Sequence, residues 1–193
     1  MNFLAHLYLT KDHAEEISVG NFIADAVKGQ KAILNYPEHI QKGIRIHREI
    51  DSFTDSHPLV KKGTKRLHGN YRKFAGIIVD IFYDHILASN WDQYSVDSLD
   101  DFARSQYTLI TTHWNHLPER TQFWYHYMFQ NNLLVTYADA ATIRLVLQRM
   151  DKRLGSISGM GEAMLEFSAF KDEYTREFRI VFQEIQEHLS SRF

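Results

Sequence analysis

The sequence predicts an all-α fold, a single-domain bundle of about seven helices spanning residues 1–193. Three observations carry that prediction. Only three prolines and nine glycines interrupt the chain. Apolar residues recur mostly every third or fourth position, the spacing of a helix with one buried face. The last segment sets Tyr174, Phe178, Val181, Phe182, Ile185 and Leu189 on one such stripe.

In chain order, a first helix is predicted over about 14 to 27, where the segment Gly20 to Val27 is mostly apolar. A second, over about 38 to 55, carries Ile44, Ile46, Ile50 and Phe53 between polar residues. The third, about 70 to 89, contains the run Gly76 to Leu87, which is apolar almost all round and belongs at the centre of the molecule. Ser98 and Asp101 make a capping pair for the fourth, about 98 to 116, and Pro118 ends it. The fifth, about 120 to 135, holds Trp124, Tyr125 and Phe129, aromatics suited to core packing, a ligand channel or a dimer contact. Asp139 caps the sixth, about 139 to 153. Residues 155–161, framed by glycines, form a loop ahead of the seventh.

Composition narrows the function. Hydrophobic residues make up 44% and aromatics 13% of the chain, enough apolar surface to exclude disorder. No apolar run approaches the ~20 residues of a membrane span, and Phe3 to Leu9 is too short for a signal peptide, so a cytoplasmic protein without a membrane partner is expected. A net charge of −2 argues against a general nucleic-acid binder. With no cysteine, any metal must be held by His, Asp or Glu.

Charged groups inside apolar stretches are the main functional signal, because burying a lone carboxylate costs several kcal/mol without a cation or hydrogen-bond network. His47, Asp51 and Asp55 fall four apart on one helical face with Arg48 beside it. They read either as metal ligands next to an anion-binding cation or as a solvated face with an Arg48–Asp51 pair; the flanking isoleucines favour the site. Asp80, Asp84 and His85 lie in the central apolar run. They need partners, through a metal, a catalytic role or a buried network. His6, among Phe3, Leu4, Leu7 and Leu9, and Asp25 each read alone as core residues; together they offer a nitrogen and an oxygen ligand from two further elements. The basic residues Lys61, Lys62, Lys65, Arg66, Arg72 and Lys73 form a solvated face or a rim that steers an acidic partner.

Several of these segments together resemble one family. They are Met1 to Leu7, Gly20-Asn21 through Asp25 with Gly29, Gly43-Ile44 with His47-Arg48 and Ile50-Asp51, Thr54-Asp55, and Asp80 with Asp84-His85 and Trp91. In this order they resemble the bacterial acyl carrier protein phosphodiesterases over the first half of the chain. The resemblance implies hydrolysis of the phosphodiester joining 4'-phosphopantetheine to a serine of holo-acyl carrier protein, an acidic partner. It also implies an HD-phosphohydrolase-like fold and a divalent metal, manganese. The chain departs from the usual HD mark, since none of its histidines is followed by aspartate.

On this resemblance Asp25, His47, Asp51, Asp84 and His85 are expected to supply most metal ligands. Arg48 is expected to steady charge on the phosphoryl oxygens, and His6 or Asp55 to serve the leaving serine, with Asp80 beside them. Lys61, Lys62, Lys65 and Arg66 are expected to dock the carrier protein. Two rival readings remain: a hydrolase of nucleotides or other small phosphoesters on the same scaffold, and a non-catalytic helical binding module.

Overall fold

The computed structural model describes all 193 residues and contains no strand. Twelve α-helices form: α1 Phe3–Leu9, α2 Glu15–Ile23, α3 Gln30–Ile33, α4 Glu38–Ser56, α5 Pro58–Tyr71, α6 Ala75–Ser89, α7 Leu99–Thr112, α8 Glu119–Gln130, α9 Leu133–Thr136, α10 Ala140–Arg153, α11 Met164–Ala169 and α12 Lys171–Ser190. One hydrophobic core of 50 buried residues runs from Met1 to Leu189. No helix is long and apolar enough to cross a membrane.

The all-α expectation holds, but the count of about seven helices was low because backbone breaks divide the longer stretches. Arg72 takes a left-handed φ of 47°. It splits the stretch expected as one helix from about 70 into the end of α5 and the whole of α6. Asn132, with φ 44°, likewise separates α8 from α9. The helix expected to reach residue 27 ends at Ile23 and continues as a 3-10 turn over Ala24–Ala26.

Three helices, α1, α3 and α5, are not legible in the sequence. In α5 a basic, glycine-containing sequence hides a narrow buried stripe of Val60, Gly63, Leu67 and Tyr71. Its start is well specified nonetheless, with Pro58 in the first turn and the His57 ring accepting from the Leu59 N–H at 3.1 Å. Helix α1 is short and has no side-chain cap of its own.

The expected caps form. Ser98 Oγ accepts from the Asp101 N–H at 3.1 Å, and Asp139 accepts from the N–H groups of Ala141 and Thr142. Helices α6 and α12 make the centre. Tyr83, Phe82 and Val79 of α6, and the full stripe from Tyr174 to Leu189 of α12, are buried.

The contact that positions the functional region is between α2 and α4, the most extensive helix pair in the molecule. It is made through glycine. A Cβ on Gly20 would stand 2.1 Å from the Ile40 carbonyl oxygen, and one on Gly43 would stand 2.0 Å from that of Ile17. Neither position has room for a side chain, so the two backbones touch. One residue beyond Gly20 comes Asn21, and one turn beyond Gly43 comes His47.

Candidate active site

Four segments meet at the α2–α4 crossing. Helix α1 brings His6, α2 brings Asn21, the 3-10 turn after α2 brings Asp25, and α4 brings His47 and Asp51 one turn apart. The two imidazoles stack with centroids 4.1 Å apart. Each places its Nδ1 against Asn21 Oδ1, at 2.9 Å for His6 and 3.0 Å for His47. Their Nε2 atoms converge on Asp51. His6 Nε2 lies 3.3 Å from its Oδ1, and His47 Nε2 lies 3.2 Å from its Oδ2. Asp25 Oδ1 stands 3.6 Å from His47 Nε2. One ligand atom from each of His6, His47 and Asp51 falls within 4.8 Å of the others.

These groups floor a pocket of about 200 Å³, walled on its apolar side by Phe3 and Phe22 and continued by Asp55 and Asp80. Four carboxylates therefore face one small space. The Met1 α-amino group donates to Asp80 Oδ1 at 2.8 Å. Asp55 and Asp80 also border an adjoining groove lined by Lys61, Thr64, Lys65 and His68.

The electrostatics follow from burial and crowding. Burial, reinforced by the neighbouring His47 charge, drives His6 down to about 4, so it is neutral near pH 7. Burial opposes the charge on His47 too, but the Asp25 and Asp51 carboxylates outweigh it and hold the ring at about 9. Asp51 is held well below the usual carboxylate range; its burial works the other way, and the two histidines prevail. His47 hydrogen bonding lowers Asp25 as well. At neutral pH, without a metal, a proton on His47 partly offsets the acidic cluster. The Nε2 of His6 is buried and has no hydrogen-bond partner.

Not every expected site residue joins this group. Asp84 is wholly buried, and its carboxylate accepts from the N–H groups of Asn2, Leu4 and Ala5 at 3.1, 2.7 and 3.2 Å. It caps α1 from across the core, satisfying the free N–H groups that every helix start leaves. His85 Nδ1 is bonded to the Tyr137 carbonyl at 2.7 Å, and its ring meets Phe167 edge-on. Both point away from the pocket, so the structure does not assemble them with Asp25, His47 and Asp51 as ligands. His6, expected to serve the leaving group, stands among the ligand atoms instead.

Arg48 donates to the Val27 carbonyl at 3.0 Å, tying α4 to the turn that carries Asp25. Arg66 is drawn inward into a two-pronged pair with the buried Glu177 and lies over the Tyr174 ring. It is not a free rim charge. Lys62 leans toward the same Glu177, while Lys61 and Lys65 stay on the groove. Of the aromatics, Tyr125 is buried and Trp124 packs on Phe3 behind the pocket wall.

The family model for acyl carrier protein phosphodiesterase matches residues 1–185. The chain belongs to this family. A relative from Photorhabdus laumondii, named acyl carrier protein phosphodiesterase, is 39% identical over 166 residues, 82% of this chain and 81% of its own length. One of the same name from Yersinia pestis is 35% identical over 90% of this chain and 88% of its own. One from Escherichia coli is 30% identical over 100% and 99%. No solved structure matches the chain. Membership in the acyl carrier protein phosphodiesterase family thus extends over the whole helical bundle, well beyond the first-half motifs.

The residue that sequence reasoning left without a role is Asn21. Its signal was present, a carboxamide set among Val19, Phe22 and Ile23, and it is fully buried. A buried amide needs partners, and here the partners are the two histidines.

Proposed function

We propose that this chain is a divalent-metal-dependent phosphodiesterase that removes 4'-phosphopantetheine from holo-acyl carrier protein, releasing the apo-protein and phosphopantetheine. Family membership supports the substrate. The observation that carries the metal is the buried, unpartnered His6 Nε2 beside His47 Nε2 and the Asp51 carboxylate. An opening of that kind suits a cation bound by imidazole and carboxylate, and with no thiolate in the chain manganese fits the donor set. His6, His47, Asp51 and Asp25 would hold it. Bound there, a divalent cation supplies Lewis acidity to a phosphoryl oxygen and activates water for in-line attack.

The protein's own groups do the rest. The four carboxylates repel a phosphodiester anion until a cation offsets them, which makes metal occupancy a condition for substrate entry. Phe3 and Phe22 keep bulk water from one side of the pocket. Asp55, exposed at the mouth between pocket and groove, is the group placed to take the proton released by the attacking water and pass it to the departing serine. Arg48 acts on the reaction by fastening the turn that presents Asp25. Lys61 and Lys65 line the groove that leads to the pocket, and they are the charges that meet an acidic carrier protein. Kinship with the HD phosphohydrolases belongs to this reading and is supported by a His–Asp pair at helical spacing on an all-α scaffold.

A pocket of about 200 Å³ is smaller than the roughly 300–1,000 Å³ of sites that engulf a small molecule. It has room for the phosphodiester itself, with the rest of the substrate left to the adjoining groove. The test is to incubate the enzyme with holo-acyl carrier protein, with manganese or with chelator, and to follow the carrier's intact mass. Loss of one phosphopantetheine only with metal is expected. An unchanged carrier mass alongside turnover of nucleotides would transfer the reading to small phosphoesters. A protein that binds no metal and keeps its stability in chelator would mark a non-catalytic module.

A further inference from the structure

We propose that Asn21 is a positioning residue that keeps hydrogen on Nδ1 of both His6 and His47 and so leaves both Nε2 atoms facing the pocket to take a cation. The inference rests on the reading that the cluster holds a cation.

The orientation of the amide is set by its other end. Asn21 Nδ2 lies 2.7 Å from the His6 carbonyl oxygen and 3.3 Å from Thr10 Oγ1. Turning the amide over would press its oxygen against that carbonyl at hydrogen-bonding distance, acceptor on acceptor. Oδ1 therefore faces the rings, and a carbonyl oxygen only accepts. Both Nδ1 atoms, at 2.9 and 3.0 Å, must then carry hydrogen. A neutral imidazole with hydrogen on Nδ1 has its lone pair on Nε2.

For His6 the consequence is specific. An Nε2 lone pair faces the Asp51 carboxylate at 3.3 Å, acceptor against acceptor. That arrangement is unfavourable alone and favourable around a cation. It accounts for the missing partner at His6 Nε2. One carboxamide serves two rings because they stack 4.1 Å apart and bring their Nδ1 atoms to one oxygen. Thr10 holds the amide in turn, its hydroxyl bonded to the His6 carbonyl at 3.2 Å. His6, Thr10, Asn21 and His47 are all buried, so water cannot readily replace the amide.

Metal-binding histidines commonly donate their second ring N–H to such a partner, and losing it weakens metal binding about 10–100-fold. The test uses manganese alone as the probe, with substrate left out. Asn21→Ala should raise the Kd for manganese by about 10–100-fold. Asn21→Asp keeps an oxygen for both Nδ1–H groups but gives up the two N–H donations, so it should melt at lower temperature than wild type while binding manganese within a few-fold. A residue that merely joined α1 to α2 would lose affinity in step with stability in both variants.

A second measurement reads the tautomer directly, by nitrogen NMR of the histidine rings in metal-free protein near neutral pH. His6 should show a protonated Nδ1 and a bare Nε2 in wild type and lose that fixed pattern in Asn21→Ala. Wild-type manganese affinity in a folded Asn21→Ala, or hydrogen on His6 Nε2 in wild type, overturns the proposal. If the wild-type protein takes up no manganese, the metal reading falls, and the ring spectra still decide whether Asn21 fixes the tautomer.

Discussion

At the scale of single residues, one side-chain type plays opposite parts. Asp51 spends its carboxylate on two imidazoles in an accessible pocket, whereas Asp84 spends its own on three backbone N–H groups in the core. Asp51→Ala should therefore leave the fold standing and abolish manganese binding and turnover together, as titration with the metal and a carrier-protein assay would register. Asp84→Ala should instead unfold more readily, by about 2–5 kcal/mol, because buried N–H groups lose their acceptor. Burial pushes Asp84 up to about 7, against the pull of the Leu4, Ala5 and Asn2 N–H groups and the terminal amine. Its folded value is thus above the roughly 3.9 of an unfolded aspartate. The protonated form stabilises the fold below that lower value, and this contribution is lost as pH rises through 7. Denaturation midpoints at pH 5 and pH 8 should fall more for wild type than for Asp84→Asn, which has no proton to lose; equal slopes would remove Asp84 as the source.

At the scale of elements, the site depends on two helices touching. The glycines at the α2–α4 crossing let the backbones close until Asn21 on one reaches His47 on the other. Adding a Cβ there is overpacking against a carbonyl that cannot swing aside. Gly20→Ala is expected to cost about 1–3 kcal/mol or more, and to weaken manganese binding as well because the amide and the ring are drawn apart. Calorimetry of melting and of metal binding on the same variant would show both losses, and a variant that lost neither would contradict this account of the crossing. Helix α1 is held in a comparable way from outside itself. Its cap is Asp84 of α6, so the placement of His6 depends on the core helix behind it.

At the scale of the whole molecule, the basic residues of α5 divide by direction. Arg66 faces inward to Glu177, a pair 15% and 6% exposed at its side chains, while Lys61 and Lys65 face outward on the groove. Breaking a buried pair by removing one partner typically costs about 3–5 kcal/mol. Arg66→Ala should accordingly lower stability by that order with little selective effect on KM for the carrier protein. Reversal of Lys61 and Lys65 to glutamate should leave stability nearly unchanged, raise KM for holo-acyl carrier protein and flatten its dependence on salt. If the double reversal left KM untouched, the groove would have no part in docking.

The amino-acid sequence by itself determined the all-α class, the order of the main helices, the caps at Ser98 and Asp139, and the pairing of His47 with Asp51. Each of these is local: a period, a turn or an i,i+4 neighbour is the same wherever the helix is packed. It also placed His6, Asp25, Asp55 and Asp80 among the candidates, because polar groups in apolar surroundings need partners. Which partners they find was decided only by tertiary structure. Asp84 and His85 follow Asp80 on one apolar helix, yet the fold turns them toward α1 and the Tyr137 carbonyl and leaves Asp80 at the pocket. Helix α5 was hidden because its stripe is narrow and its exposed face basic. Arg66 looked like its lysine neighbours until Glu177, 111 residues away, claimed it. The cluster of His6, Asn21, Asp25, His47 and Asp51 joins four segments through a backbone contact at Gly20 and Gly43. The direction of a side chain across such a contact depends on how closely two helices approach, a distance set by the packing of both and written in neither alone.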